Sequence, residues 1–232
     1  MILRSLAALL SAVCILGLCV VPAAADSHAY GNLMGTDVGE VDFINITESS
    51  DTDPVPLFGP PTRSGNRLFF TPTNFTSAAE DGASDTTAGI MSMSVVADEG
   101  YYLAQITIME LGEYLLTGIG SEATFADVSA TLTVDPGNMV AGMAFTPSPP
   151  FVLPDSGSYD GTVTIDLSGL NLTQIDLTFD NVLQTGSEAG TAASIQKNIG
   201  VLPSLDVTVI PEPGCLCLLA VGACLHLLRR KR

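Results

Sequence analysis

Ala126-Asp127-Val128-Ser129-Ala130-Thr131-Leu132-Thr133-Val134 alternates apolar and polar residues at every step. A period of two is that of an extended strand, whose successive side chains point to opposite faces. One face of this segment is therefore built for a core and the other for water. The run stops at Asp135-Pro136-Gly137-Asn138, where proline pins φ and glycine and asparagine accept the backbone of a tight turn. A helix would need apolar residues three and four apart, and that spacing is nearly absent between the two ends of the chain.

Two more alternations follow. Val163, Ile165 and Leu167 oppose Thr162, Thr164, Asp166 and Ser168; Ile175, Leu177 and Phe179 oppose Asp176, Thr178 and Asp180. The two share the wording Ile-Asp-Leu, ten residues apart, and the short link at 169–172 predicts that they pair as neighbours. Less regular strand patterns lie at 41–47, 67–71, 90–97, 101–109, 113–117, 139–145 and 204–209. Residues 49–64, 77–87 and 146–154, rich in Pro, Gly, Ser or Asp, read as loops. Many short strands between frequent turns predict a mostly β chain: an antiparallel β-sandwich of jelly-roll or immunoglobulin-like type.

The two ends carry a different signal. Arg4, an apolar run over 6–21 and then Pro22-Ala23-Ala24-Ala25 have the three parts of a secretory signal peptide, with Ala23 and Ala25 as the small residues before a cut that leaves Asp26 first. A retained membrane helix is the rival reading of the same run. At the other end Ile210-Pro211-Glu212-Pro213 leads into 214–228, which carries no formal charge, and Arg229-Arg230-Lys231-Arg232 closes the chain. The prolines hold an extended approach to a helix, and the four cations would keep its end in the cytoplasm. The fifteen residues of 214–228 span about 22 Å as a helix, against about 30 Å of hydrocarbon. Such a marginal span needs snorkelling or thinning of the bilayer, and it suits a segment meant for removal. The expected division is thus a signal helix over 1–25, an exported domain over 26–209 and a sorting segment with a transmembrane helix over 210–232.

At Pro211-Glu212-Pro213, the apolar 214–228 and the basic 229–232, the chain resembles the PEP-CTERM proteins, substrates of bacterial exosortases. The resemblance covers about the last two dozen residues, and Ile210 stands where valine commonly precedes the signature. It implies that the tail is recognised and cut by a membrane-embedded exosortase. It further implies an inner-membrane precursor that is then passed to the cell surface or matrix of a bacterium that makes exopolysaccharide. Signal peptidase and the exosortase are the expected processing partners, and exopolysaccharide is a candidate partner of the mature protein.

Composition narrows the middle further. All five cysteines, Cys14, Cys19, Cys215, Cys217 and Cys224, lie in the two end segments, so the exported domain has no disulfide, thiolate metal site or cysteine nucleophile. The net charge is −17, and Arg63, Arg67 and Lys197 are the only cations between residues 26 and 209. An acidic surface of this kind repels nucleic acid and keeps the domain soluble.

Nothing in the middle singles out a catalytic set. His28 is the one histidine between the processing sites, and two residues from the new N-terminus it is expected on a mobile end, a poor place for a general base. Glu110 and Glu113 sit in strand-like settings without an evident partner. Asp51-Thr52-Asp53 and the acids of 80–85 lie in expected loops with the oxygen ligands calcium favours, although neither matches an EF-hand. No other cofactor is expected, and the metal ligands are left unassigned. Sugar platforms use exposed aromatics, and here there is no tryptophan; Tyr101-Tyr102 and Phe69-Phe70 each expose at most one ring on a strand. Asn45, Asn74 and Asn171 open Asn-X-Thr triplets that a bacterial setting makes incidental. The expected function is that of a non-enzymatic structural or adhesive surface protein. A calcium- or carbohydrate-binding module on the same export route is the alternative, and a secreted hydrolase comes third.

Overall fold

A computed structural model describes residues 26–197 and 204–211. The signal segment with Ala23 and Ala25, and the tail with Glu212, Pro213 and Arg229–Arg232, lie outside the described residues. In chain order the strands are β1 (Asp26–Leu33), β2 (Asp42–Ser50), β3 (Thr62–Ser64), β4 (Arg67–Phe69), β5 (Thr76–Glu80), β6 (Ser84–Val96), β7 (Tyr101–Gly118) and β8 (Phe125–Asp135). They continue with β9 (Met139–Gly142), β10 (Ala144–Thr146), β11 (Phe151–Val152), β12 (Ser156–Asp166), β13 (Gln174–Gly186), β14 (Thr191–Lys197) and β15 (Ser204–Pro211). No helix occurs among the described residues, hence none long and apolar enough to cross a membrane.

The strands form two antiparallel sheets. One runs β1-β2-β6-β13-β8, with β9 and β11 sharing the far edge of β8. The other runs β10-β12-β7-β15-β4-β3, and β14 joins β7 while carrying β5 on its outer edge. β7 is the spine of this second sheet. One edge of it meets β12 from Gln105 to Leu115. Its other edge is divided, β15 lying along Tyr101–Met109 and β14 along Gly112–Gly118. The inward residues of both sheets form one continuous apolar core, including Phe43, Leu68, Ile106, Leu132, Ile175 and Leu177. The antiparallel β-sandwich expected from the alternations is therefore present. Ala126, Val128, Ala130, Leu132 and Val134 all point into its core.

Several expectations are corrected. The two Ile-Asp-Leu strands do not pair: β12 bonds to β7 and β10, and β13 to β6 and β8. The chain changes sheets between them, so their matching alternations face one core from opposite sides. The expected loop at 77–87 is instead the end of β5, a turn at Asp81-Gly82 and the start of β6. Two of its inward positions are polar but satisfied, Ser77 Oγ lying 2.9 Å from Thr185 Oγ1 and Thr87 Oγ1 donating to the Thr76 carbonyl at 2.8 Å. Burial of paired hydroxyls costs little, so small polar residues can stand where an apolar pattern was sought.

Residues near Asp26 form an ordered edge strand in place of the mobile end expected there. β1 is mostly exposed and pairs with β2 through its backbone, so it shows no hydrophobic alternation to read. The segments 101–109 and 113–117 fuse into the single β7 because Gly112 continues the strand. A Cβ on Gly112 would lie 2.1 Å from Tyr159 Cζ, so the missing side chain is what lets that ring lie against the strand.

Candidate functional site

Three inward positions of the sandwich hold residues that do not belong to an apolar alternation. On β7 the core-facing series Ile106, Ile108 continues with Glu110. On β13 the series Ile175, Leu177, Phe179 continues with Asn181. On β14 Ala193 and Ile195 are followed by Lys197. Each is at most 4% exposed. β14 bonds to β7 with Lys197 opposite Gly112, so the lysine reaches back two residues to Glu110. Asn181 approaches from the other sheet.

The three side chains meet on one atom. Lys197 Nζ lies 2.6 Å from Glu110 Oε2, and Asn181 Nδ2 donates to the same oxygen. The other carboxylate oxygen, Glu110 Oε1, has no hydrogen-bond partner, and neither has Asn181 Oδ1. The rings of Phe75, Phe58 and Phe179 stand 4.6, 5.5 and 5.9 Å from Lys197 Nζ. Aromatic faces attract a cation, but this wall also removes its water. Burial pushes the ammonium below the usual lysine value, against the opposing pull of Glu110. Tyr159 borders the group; burial first, then the Glu110 charge, raise its phenol well above the ordinary range. Its hydroxyl faces Glu110 without meeting hydrogen-bond geometry. Gly89 makes room for the wall, since a Cβ there would sit 2.9 Å from the Phe75 ring. Chemically this is an amine, a carboxylate and a carboxamide held together in a dry core.

The residues singled out from sequence fall elsewhere. Pro211 ends β15 opposite Tyr101. Glu113 faces outward on β7, while Glu110, read as partnerless, is the centre of the buried group. His28 is exposed on β1, its ring 4.7 Å edge-on from Tyr30. In the expected cation loops, Asp81 Oδ1 accepts from the Gly190 amide at 3.0 Å and Asp85 Oδ2 from the Ala78 amide at 2.9 Å. An acidic hollow beside β2 is similar. Asp42 Oδ1 accepts from Gly35 N at 2.7 Å and Asp98 Oδ2 from Gly39 N at 2.9 Å. Glu40 there bonds Arg63, Thr36 and Asp37. Asp81, Asp85, Asp42 and Asp98 are turned toward backbone amides and Glu40 also toward Arg63, and among the described residues no group of three or more His, Cys, Asp or Glu is placed to hold a metal.

None of the fourteen Phe and Tyr side chains is exposed; Tyr101, Tyr102 and Phe69 are half-buried and Phe70 is buried. An open groove of about 530 Å³ crosses the outer face of the second sheet, lined by residues such as Glu113, Leu115, Ser158 and Gln196. Its one aromatic lining residue, Tyr114, is buried and stacked on Phe151. The buried trio had a sequence signal, a polar residue at an inward step in each of three strands, but nothing in the sequence aligned those steps with one another.

No family model matches this sequence, and no curated protein does. Among solved structures the chain is similar to TmCBM61 in complex with β-1,4-galactotriose, at 12% identity over 82% of this chain and 90% of that one, with a TM-score of 0.21. It is similar to the CBM22-1 xylan-binding domain of Paenibacillus barcinonensis Xyn10C, at 12% identity over 78% and 92%, with a TM-score of 0.22. It is also similar to a chain of the infectious bursal disease virus Gx strain, at 9% identity over 83% of this chain and 62% of the viral one, with a TM-score of 0.23. Likeness at that level carries no argument here, and the description of the fold rests on the strand pairing above.

Proposed function

We propose that this chain is a non-enzymatic structural or adhesive protein of the cell surface or extracellular matrix, exported by its signal peptide and handed to an exosortase-type enzyme by its C-terminal segment. The observation that carries the reading is that the last described strand leads directly into the sorting motif. β15 pairs with β7 down to Pro211, the first residue of the Pro-Glu-Pro motif. The last described strand thus reaches the sorting motif, and a cut beyond it removes no described strand. The absence of exposed aromatics among the described residues favours a structural over a glycan-binding role. The backbone-directed acids favour it over a calcium-dependent one.

The test compares the full chain with one lacking residues 212–232, both expressed in a bacterium that carries an exosortase. The full chain is expected at the membrane and then at the surface. The shortened chain should leave the membrane fraction while melting at the same temperature. Identical distribution between membrane, surface and medium would show the sorting reading to be wrong.

A further inference from the structure

We propose that Lys197 and Asn181 become joined by an intramolecular isopeptide bond, with Glu110 as the proton carrier, so that the sandwich clips its own two sheets together. The inference does not depend on the sorting route; it rests on the buried trio alone.

Both reacting groups touch Glu110 Oε2, Lys197 Nζ at 2.6 Å and Asn181 Nδ2 through its hydrogen bond. Sharing one acceptor, they lie within about two hydrogen-bond lengths of each other, roughly 6 Å at most. An amine attacks only when neutral; burial in a dry pocket favours that form against the pull of the carboxylate, and the carboxylate is placed to take the proton. Phe58, Phe75 and Phe179 supply the dry wall. The same wall keeps water from diverting the reaction toward hydrolysis of the amide.

The step balances without any outside reagent. The Glu110 carboxylate takes one proton from the Lys197 ammonium. The freed Nζ lone pair attacks Asn181 Cγ, and the Nζ–Cγ bond forms. Glu110 passes its proton to Nδ2, the Cγ–Nδ2 bond breaks, and ammonia leaves. A second proton from Nζ returns to Glu110. One ammonium, one carboxylate and one carboxamide have become a secondary amide, a carboxylic acid and ammonia, with no net change in charge.

The product also resolves features that an ordinary ion pair leaves in place. A buried pair contributes little net stability unless its remaining lone pairs are satisfied. Here Glu110 Oε1 and Asn181 Oδ1 are both orphaned in the core, a situation rare enough to call for a cause. After the reaction Glu110 holds a proton and becomes a donor, and Asn181 Oδ1 is the carbonyl oxygen of the new amide. Each orphan gains the kind of partner it lacked, and both charges leave the core.

The experiment is mass spectrometry of the folded full chain. A protease that cuts after Asp and Glu should cleave at Asp180, Glu188 and Asp206, releasing 181–188 and 189–206 as one branched species. Its mass should be about 17 Da below the sum of the two peptides, the ammonia lost when a nucleophile displaces it from an amide. Lys197→Met and Asn181→Ala should each give two separate peptides. Asn181→Asp loses water in place of ammonia and should give a branched product of the same mass as the parent. If Glu110→Ala folds, it should leave the peptides unjoined. Separate peptides of full mass from folded parent protein would overturn the proposal, whatever the variants do.

Discussion

Lys197 lies opposite Gly112 in the β14–β7 ladder, yet its Nζ contacts Glu110, two residues back along β7. Gly112 pairs with Tyr159 on its other side, and its missing side chain leaves the inward space beside the ladder to the Tyr159 ring, which borders Glu110. The buried polar group and the close approach of the Tyr159 ring to Gly112 are thus neighbours, and perturbing either should disturb the other.

Gly112→Ala is the first expected consequence. A Cβ 2.1 Å from the Tyr159 ring cannot be accommodated without moving that ring or the strand. Overpacking of this kind costs about 1–3 kcal/mol. Urea unfolding should show a lowered midpoint, and an unchanged one would mean that Tyr159 does not lie against β7.

Glu48 should matter as much as an apolar core residue. Its buried carboxylate accepts from the Leu57 amide at 2.8 Å and the Phe58 amide at 3.0 Å, fixing the loop that delivers Phe58 to Lys197. Glu48→Ala leaves two buried donors unsatisfied, at about 1–3 kcal/mol each. Chemical denaturation should register that loss, and hydrogen exchange should show faster exchange at Leu57 and Phe58.

Acid should weaken the fold through the surface carboxylates that serve as acceptors. The bond from Arg63, then those from the Thr36 and Asp37 amides, hold Glu40 down at about 2. A depressed carboxylate contributes stability that is present above its unfolded value and is lost as pH falls through its folded one. For Glu40 the window runs from about 4.5 down to about 2. Glu188, held by Ser121, and Asp166, held by Ser168, act in the same direction. Asp127 and Asp180, raised mainly by burial, act in the opposite one. Unfolding midpoints measured against pH should fall less steeply for Glu40→Gln than for the parent over that window. Parallel curves would contradict the assignment.

Calcium is expected to leave the melting midpoint unchanged. Asp81 and Asp85 are occupied by the Gly190 and Ala78 amides, as Asp42 and Asp98 are by the Gly35 and Gly39 amides. A specific site saturated a hundredfold above its dissociation constant would add about 2.7 kcal/mol. A calorimetric scan with calcium and with a chelator separates the two outcomes.

The strands were legible wherever one face is apolar throughout, as in β8, where Ala126 to Val134 alternate without a fault. β1 was hidden because it stays exposed on both faces and is held by backbone pairing. β5 was hidden because Ser77, an inward residue, meets a hydroxyl on β13. Identical wording in β12 and β13 misled for a related reason: a period of two reports which face is buried and is silent about which sheet the strand joins. The same limit concealed the trio. Glu110, Asn181 and Lys197 each break an alternation two residues after an isoleucine or phenylalanine, and each break is visible alone. Their convergence depends on β7 pairing with β14 while β13 lies in the facing sheet, which is a property of long-range topology.

Terminal mapping by mass spectrometry of protein recovered from the cell surface and the medium tests the account most directly. The account predicts a chain that begins at Asp26 and lacks Arg229–Arg232. A cytosolic pool retaining both Met1 and Arg232, with no processed form outside the cell, would contradict it.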